Sequence, residues 1–361
     1  MFFKTREADG DTVITPLGCL FVLLTLPVWI VVGLAHGLYR AATIDSHATS
    51  TAGSSRSRGQ GRGQVNTSWR SSLGPVATKR RQNKLIKRLR LDAERFWGTE
   101  VGYTTVEIPK RSGGTRELSI PRSELKKTQK MLARAFEREL GWKVHKVANA
   151  YVKGRNTVTN AVPHLGCAVL IKLDIKDFFP SITREMVRPL LWHFACREPK
   201  AVERLLDLCI ADKGLPQGAP TSPILSNLVL RKFDIGAYQF ANLMGAKYTR
   251  YADDLTFSLP EDDSIKARKI VNGVRGLLAE QGFELNEKPN KLKILRGHQA
   301  QQVCGITLNS GKPTISKKQR RLVRAARHAL ANGRPASMSL ASVEGWESYI
   351  GHVQVVTEEV A

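Results

Sequence analysis

The sequence predicts an α+β protein, a small antiparallel sheet wrapped by amphipathic helices. Three observations lead there. In VLIKLDI, Val169, Ile171, Leu173 and Ile175 alternate with Leu170, Lys172 and Asp174, the two-residue period of a strand. KYTRYADDLTFSL has alternating runs on both sides of Asp253 and Asp254, the pattern of a hairpin carrying two acids at its tip. SELKKTQKMLARAFEREL repeats Leu125, Leu132, Phe136 and Leu140 at helical spacing, with Ser123 as the expected N-cap.

Charge narrows the function. The chain has 361 residues, 56 Lys+Arg against 32 Asp+Glu, and a formal net charge of +24. An excess of that size points to a polyanionic partner, nucleic acid first and an anionic membrane surface second. The five cysteines form no CxxC pair, so a disulfide or zinc framework is not expected.

The elements follow in chain order. Thr12 to Tyr39 contains no Asp, Glu, Lys or Arg and is mostly apolar, long enough to span a bilayer as a helix. The competing reading is a cleaved signal peptide, but the leader MFFKTREADGD is acidic as well as basic. Residues 51–98 then carry twelve Lys/Arg against Asp92 and Glu94, a net of +10. Positive charge after the span places that side in the cytoplasm. The expectation is therefore a single-pass inner-membrane anchor at 1–40 with the body of the protein in the cytoplasm. Residues 41–78, rich in Ser, Gly and Arg, read as a flexible basic linker, either a simple tether or one that touches phosphates or lipid.

The body is expected from residue 79. KRRQNKLIKRLRLDAERFWG reads as a basic amphipathic helix with Leu85, Leu89 and Phe96 on or near one stripe. VEIPKRSGGTRELSIP gives two short strands around Ser112-Gly113-Gly114, with Lys110, Arg111 and Arg116 flanking the turn. Any exposed basic hairpin looks the same, so this element alone assigns nothing.

Asp174 closes a strand that otherwise reads as buried, and a lone buried carboxylate needs a cation or hydrogen-bond donors. Carboxylates from neighbouring strands, Asp174 with Asp253 and Asp254, can hold two Mg²⁺ ions. GLPQGAPTSPILSNLVLRKFD is a loop running into a helix, with Ser222 near its N-cap and Pro223 at its first position. The amides at such a helix start are available to a phosphate.

Taken together, IPKRSGGTRE, KLDIKDFFPSI, GLPQGAPTSPILSNL and YADD, in that order between Val106 and Leu308, closely resemble the successive motifs of reverse transcriptases. The resemblance implies a right-hand polymerase, with fingers and palm at 79–309 and a thumb at 310–361. It assigns Asp174, Asp253 and Asp254 as the catalytic, Mg²⁺-holding carboxylates. It assigns Phe179 to excluding a ribose 2′-hydroxyl, Gln217 and Gly218 to the dNTP-contacting loop, and Lys110 and Arg116 to the triphosphate. Lys288 in FELNEKPNK resembles the lysine near the departing pyrophosphate, with Lys291 and Lys293 close behind it.

NAVPHLG, containing Asn160 and His164, resembles the N-A-x-x-H element of bacterial retron enzymes, and Val303-Cys304-Gly305 resembles their V-T-G triplet with Cys in place of Thr. His164 read alone could equally be a satisfied core histidine. SKKQRRLVRAARHALANG is a basic helix with Ser316 as N-cap and Gly333 as stop, and SVEGWESYIGHV another short helix. The retron resemblance implies RNA contacts at Asn160, His164, Arg320, Arg321 and Arg324. It further implies a cognate structured noncoding RNA copied into single-stranded DNA (msDNA) from dNTPs, in antiphage defence. The membrane segment would then be an effector or a tether, with any separate effector protein unspecified. Another defence-type or diversity-generating reverse transcriptase is the nearest alternative. A catalytically idle, membrane-tethered RNA-binding scaffold is the alternative of a different class.

Overall fold

The computed structural model describes residues 75–90, 93–109, 115–195 and 197–360. The expected anchor and nearly all of the expected linker lie outside the described residues. Among the described residues no helix is long and apolar enough to cross a membrane.

Helix α1, Pro75–Leu89, starts inside the stretch expected to be linker. Its Leu85 and Leu89 are buried, and Phe96 of the short α2, Ala93–Gly98, is fully enclosed. Lys87 and Arg88 in the last turn of α1 suit the negative end of the helix dipole. Strands β1, Tyr103–Pro109, and β2, Thr115–Pro121, pair antiparallel, Val106 opposite Leu118. Val106 and Ile108 remain exposed, so this ribbon stands off the body. Helix α3, Ser123–Leu140, buries the Leu125, Leu132, Phe136 and Leu140 stripe as the spacing requires. Ser123 is its first helical residue rather than its cap; the cap position belongs to Arg122, and no side chain caps it. Helix α4, Thr157–Ala161, is started by Asn156, whose Oδ1 accepts from the Val158 and Thr159 amides while Thr159 Oγ1 accepts from the Asn156 amide.

The central sheet is built from β3, Val169–Asp174; β4, Lys247–Tyr251; β5, Asp254–Leu259; and β6, Lys293–Arg296. Its order is β4-β5-β3-β6, every neighbour antiparallel. β3 is interior and enclosed on both faces, which is why its apolar residues run almost without a break. Around it lie α5, Phe178–Ser181; α6, Arg184–Phe194; α7, Pro199–Cys209; α8, Ser222–Val229; α9, Arg231–Leu243; and α10, Ser264–Ala279. One core joins these helices, the sheet, α1 and α3.

A second sheet has the order β7-β8-β9, from Gln302–Val303, Ile306–Thr307 and Thr314–Ile315. It crosses the boundary expected at residue 310. Cys304 and Gly305 turn between β7 and β8, both with positive φ (48° and 84°), as a two-residue hairpin turn demands. Helix α11, Lys317–Ala331, is capped by Ser316 Oγ and stops before Gly333 at φ 64°. Helix α12, Leu340–Val360, extends well past the short helix expected from SVEGWESYIGHV. Val323 and Ala326 of α11 pack on Val343 and Trp346, while Val353 joins Val303, Ile306 and Ile315.

Candidate active site

The three acidic residues come together through sheet register. Asp174 ends β3 directly opposite Asp254, the first residue of β5. Ala252 and Asp253 form the turn between β4 and β5, with Tyr251 opposite Asp254. Ala252 has φ 56°, a left-handed conformation that costs an L-residue about 1–2 kcal/mol. Two bonds hold this turn: Arg250 Nη1 donates to the Ala252 carbonyl at 3.1 Å, and the Ile175 amide donates to the Asp253 carbonyl at 3.0 Å.

Arg250 is itself fully buried. Its Nε and Nη2 donate to the two oxygens of Asp234 at 2.8 and 2.7 Å, and its Nη1 also reaches Asn227 Oδ1 at 3.0 Å. Tyr248 adds a hydrogen bond to Asp234 at 2.9 Å. A buried charge so completely paired is costly to break, about 3–5 kcal/mol when one partner is removed. The rigid base of the acidic turn is therefore electrostatic as well as apolar.

Asp174 is almost buried, and both of its oxygens are engaged: Asn286 Nδ2 donates to Oδ1 at 2.7 Å and Lys291 Nζ to Oδ2 at 2.6 Å. Loss of water, then the charges of Asp254 and Asp174, push the Asp253 carboxyl up to about 6. Asp254 moves up as well, through desolvation first and then Asp174, against the pull of Lys172 and Lys291. Lys291 is pulled down by desolvation, but its contact with Asp174 lifts it further, so it stays a cation. The cluster is thus short of positive charge around Asp253 and Asp254, and a divalent cation would relieve it. Among the described residues no three His, Cys, Asp or Glu side chains form a complete cage. Mg²⁺ is commonly held by one or two carboxylates with substrate phosphates supplying the remainder, and this donor set fits that habit.

The remaining expected site residues separate into those the fold gathers here and those it does not. Phe179, half-buried in α5, lies against Phe178 and faces Tyr151, ring centroids 5.0 and 6.5 Å away. Its carbonyl accepts from the Leu215 amide at 3.1 Å, which ties it to the GLPQGAP loop. Gly214 of that loop has φ 100°, and a Cβ there would come within 2.2 Å of the Pro180 carbonyl oxygen. Only glycine allows this approach. The Gln217 carbonyl accepts from the Ser119 amide of β2 at 2.9 Å, and exposed Gly218 has φ 110° beside Ser119. The loop therefore links the Phe179 turn to the standing ribbon. Lys110 lies outside the described residues; Arg116 sits in β2 opposite Ile108, its side chain likewise outside the description.

Lys288, Asn160 and His164 are placed as follows. Lys288 is exposed, and Lys291 is the lysine on Asp174, because the chain folds back through a turn closed by the Lys291 amide on the Lys288 carbonyl. Asn160 is fully buried, accepting from Asn149 Nδ2 at 3.2 Å and donating to Cys304 Sγ at 3.5 Å. His164 is fully buried between Ser258 Oγ and Thr249 Oγ1, at 2.7 and 2.8 Å, and burial pushes its imidazole down to about 3. Neither side chain reaches a surface where RNA could touch it; both brace the sheet. On α11, Arg321 and Arg324 are exposed and Arg320 is half-buried. The Asn286 and Arg250–Asp234 contacts had no periodic signal in the sequence. They depend on a loop path and on two segments meeting in the core.

The chain matches the family described as reverse transcriptase (RNA-dependent DNA polymerase) over residues 108–312. The retron Mx65 reverse transcriptase of Myxococcus xanthus is 35% identical over 266 residues, covering 69% of this chain and 60% of that protein. The retron Mx162 reverse transcriptase of the same organism is 34% identical over 285 residues, covering 70% and 58%. The retron Ec86 reverse transcriptase of Escherichia coli is 30% identical over 247 residues, covering 68% and 74%. The chain thus spans about three fifths of the two myxococcal relatives.

Proposed function

The chain belongs to the reverse transcriptases, in their retron-type branch, and from that membership we propose that it is an RNA-directed DNA polymerase that copies a cognate structured noncoding RNA into msDNA. The observation that carries the reading is the register of Asp174 opposite Asp254, with Asp253 on the braced turn beside them. Asp174, Asp253 and Asp254 would hold Mg²⁺. When bound, such ions activate the attacking hydroxyl of the primer and stabilise the charge that develops on the leaving pyrophosphate.

The chain's own groups supply the remainder. Lys291 stays protonated at Nζ next to Asp174 and is placed to give a proton or a positive charge to the pyrophosphate. Phe179, half-buried against Phe178, selects deoxyribose by occupying the space a 2′-hydroxyl needs. Backbone groups at Gln217 and Gly218, held against Ser119, form the floor under the incoming dNTP. The basic outer face of α11, with Arg321 and Arg324, holds the RNA or its duplex with the product.

A membrane anchor at Thr12–Tyr39 is part of the same proposal, supported by the uncharged stretch and the +10 segment behind it. It places the polymerase on the cytoplasmic side, where dNTPs and RNA are found. A role in antiphage defence rests on the retron resemblance. The intact acidic triad speaks against an idle scaffold. The test is extension of a primed RNA template by the purified protein with dNTPs and Mg²⁺, and its loss in Asp253→Asn. Wild-type DNA yield from Asp253→Asn would overturn the catalytic assignment. Recovery of the full chain in the soluble fraction would overturn the anchor alone.

A further inference from the structure

Away from the carboxylates, a wide-open recess of about 530 Å³ is lined by Arg81, Lys84 and Arg88 of α1, His193 of α6 and Arg197 between α6 and α7. Among the described residues no carboxylate lines it. Two of these cations have structural partners: Arg81 Nη1 donates to the Arg197 carbonyl at 3.2 Å, and Arg88 donates to the Phe194 carbonyl and to Glu139 Oε2, each at 3.0 Å. Lys84, His193 and Arg197 are exposed and have no side-chain partner among the described residues. Arg197 also holds φ 58°, where Gly or Asn would be cheaper.

An exposed aromatic residue is joined to Arg88 through Glu139. Glu139, the residue that binds Arg88, also accepts from Trp142 Nε1 through its carbonyl at 3.1 Å. Trp142 is 77% exposed, with Lys143 Nζ 5.3 Å from its ring centroid. Exposed cations without side-chain partners, with a bare indole joined to Arg88 through Glu139, suit a phosphodiester backbone with unstacked bases.

We propose that this recess is a second RNA-binding site, gripping the phosphate backbone of a structured RNA outside the copying cleft. The choice of RNA rests on the reading of the chain as an enzyme that copies RNA; the residues involved are separate from that chemistry. Its role is to hold a folded part of the RNA while another part is copied.

The experiment compares the full-length protein with Lys84→Glu/Arg197→Glu on two probes. The first is a stem–loop RNA of arbitrary sequence. The second is a short oligo(dT)-primed poly(rA), whose contacts end within the cleft. The double variant should bind the stem–loop at least about ten-fold more weakly, with a salt-dependence slope reduced by about 2. Its KM and extension rate on the short template should stay unchanged. The milder Lys84→Gln/Arg197→Gln should show the same direction, and it keeps the test valid if charge reversal unfolds the protein. Unchanged stem–loop affinity and slope, or an equal loss on both probes, would overturn the site. Loss of binding to anionic phospholipid vesicles with RNA binding intact would also overturn it, in favour of a lipid surface. A wild-type protein that binds the stem–loop but extends nothing would instead refute the polymerase reading and leave the recess standing.

Discussion

Asn160 Nδ2 lies 3.5 Å from Cys304 Sγ, a contact across 144 residues that joins the two segments resembling retron elements. Cys304 sits at the left-handed position of the β7–β8 turn, and Asn160 is fully buried beneath it. The resemblance in NAVPHLG and VCG is thus a single packing unit between the main sheet and the small one.

Asn160→Ala tests that unit. It leaves Asn149 Nδ2 without its Asn160 acceptor in a dry interior, which costs about 1–3 kcal/mol. The denaturation midpoint should fall by that amount, while RNA affinity per folded molecule stays unchanged. A variant of native stability that binds RNA more weakly would restore the direct RNA contact.

His164 makes stability depend on pH. Its folded pKa, about 3, is below the ordinary value of 6.5, so between those values the unfolded chain binds a proton that the folded chain does not. The stabilisation is complete above about pH 6.5 and should be lost by about 1.4 kcal/mol per unit as the pH falls below it. His164→Gln keeps polar contacts but cannot titrate. Urea denaturation between pH 7.5 and 5 should show a shallower slope for the variant; equal slopes would remove His164 from the effect.

Lys291 and Lys288 should separate cleanly in kinetics. On the proposed role of Lys291 as proton donor, Lys291→Ala should slow single-turnover incorporation by about 10²-fold or more, with little change in RNA binding. Lys288→Ala, on an exposed side chain, should stay close to wild type. The reverse order would return the pyrophosphate role to Lys288.

The two adjacent phenylalanines differ in burial. Phe178 is 4% exposed and belongs to the core, so Phe178→Ala should cost about 3–5 kcal/mol of stability. Phe179→Ala should fold normally and admit ribonucleotides, read as a fall in the ratio of dNTP to NTP incorporation. An unchanged ratio would make Phe179 a packing residue only.

The strands that carry or flank Asp174, Asp253 and Asp254 were legible because period-two alternation survives around Asp174 and across Tyr251–Leu259. The α3 stripe and the Ser316 cap were legible for the equivalent helical reason. Lys291 was not distinguishable from Lys288, since the turn at 288–291 has no periodicity to orient either side chain. The burial of Asn160, and the choice between a core and a contact histidine at His164, were not legible because their partners, Thr249, Ser258 and Cys304, lie far along the chain. Arg250–Asp234 was hidden in the same way: a buried ion pair looks, in one dimension, like two ordinary surface charges.

The interior place of β3 sets a timetable for synthesis. Its two neighbours, β5 and β6, begin at Asp254 and Lys293. A nascent chain carrying Asp174 must therefore wait for the ribosome to deliver both, on the order of ten seconds at about 5–20 residues per second. Until β5 emerges both edges of an apolar strand are open, and until β6 emerges one still is, a condition that invites intermolecular pairing. Slower translation across residues 175–296 should therefore lengthen exposure and raise the demand for chaperones, even though the finished protein is unchanged.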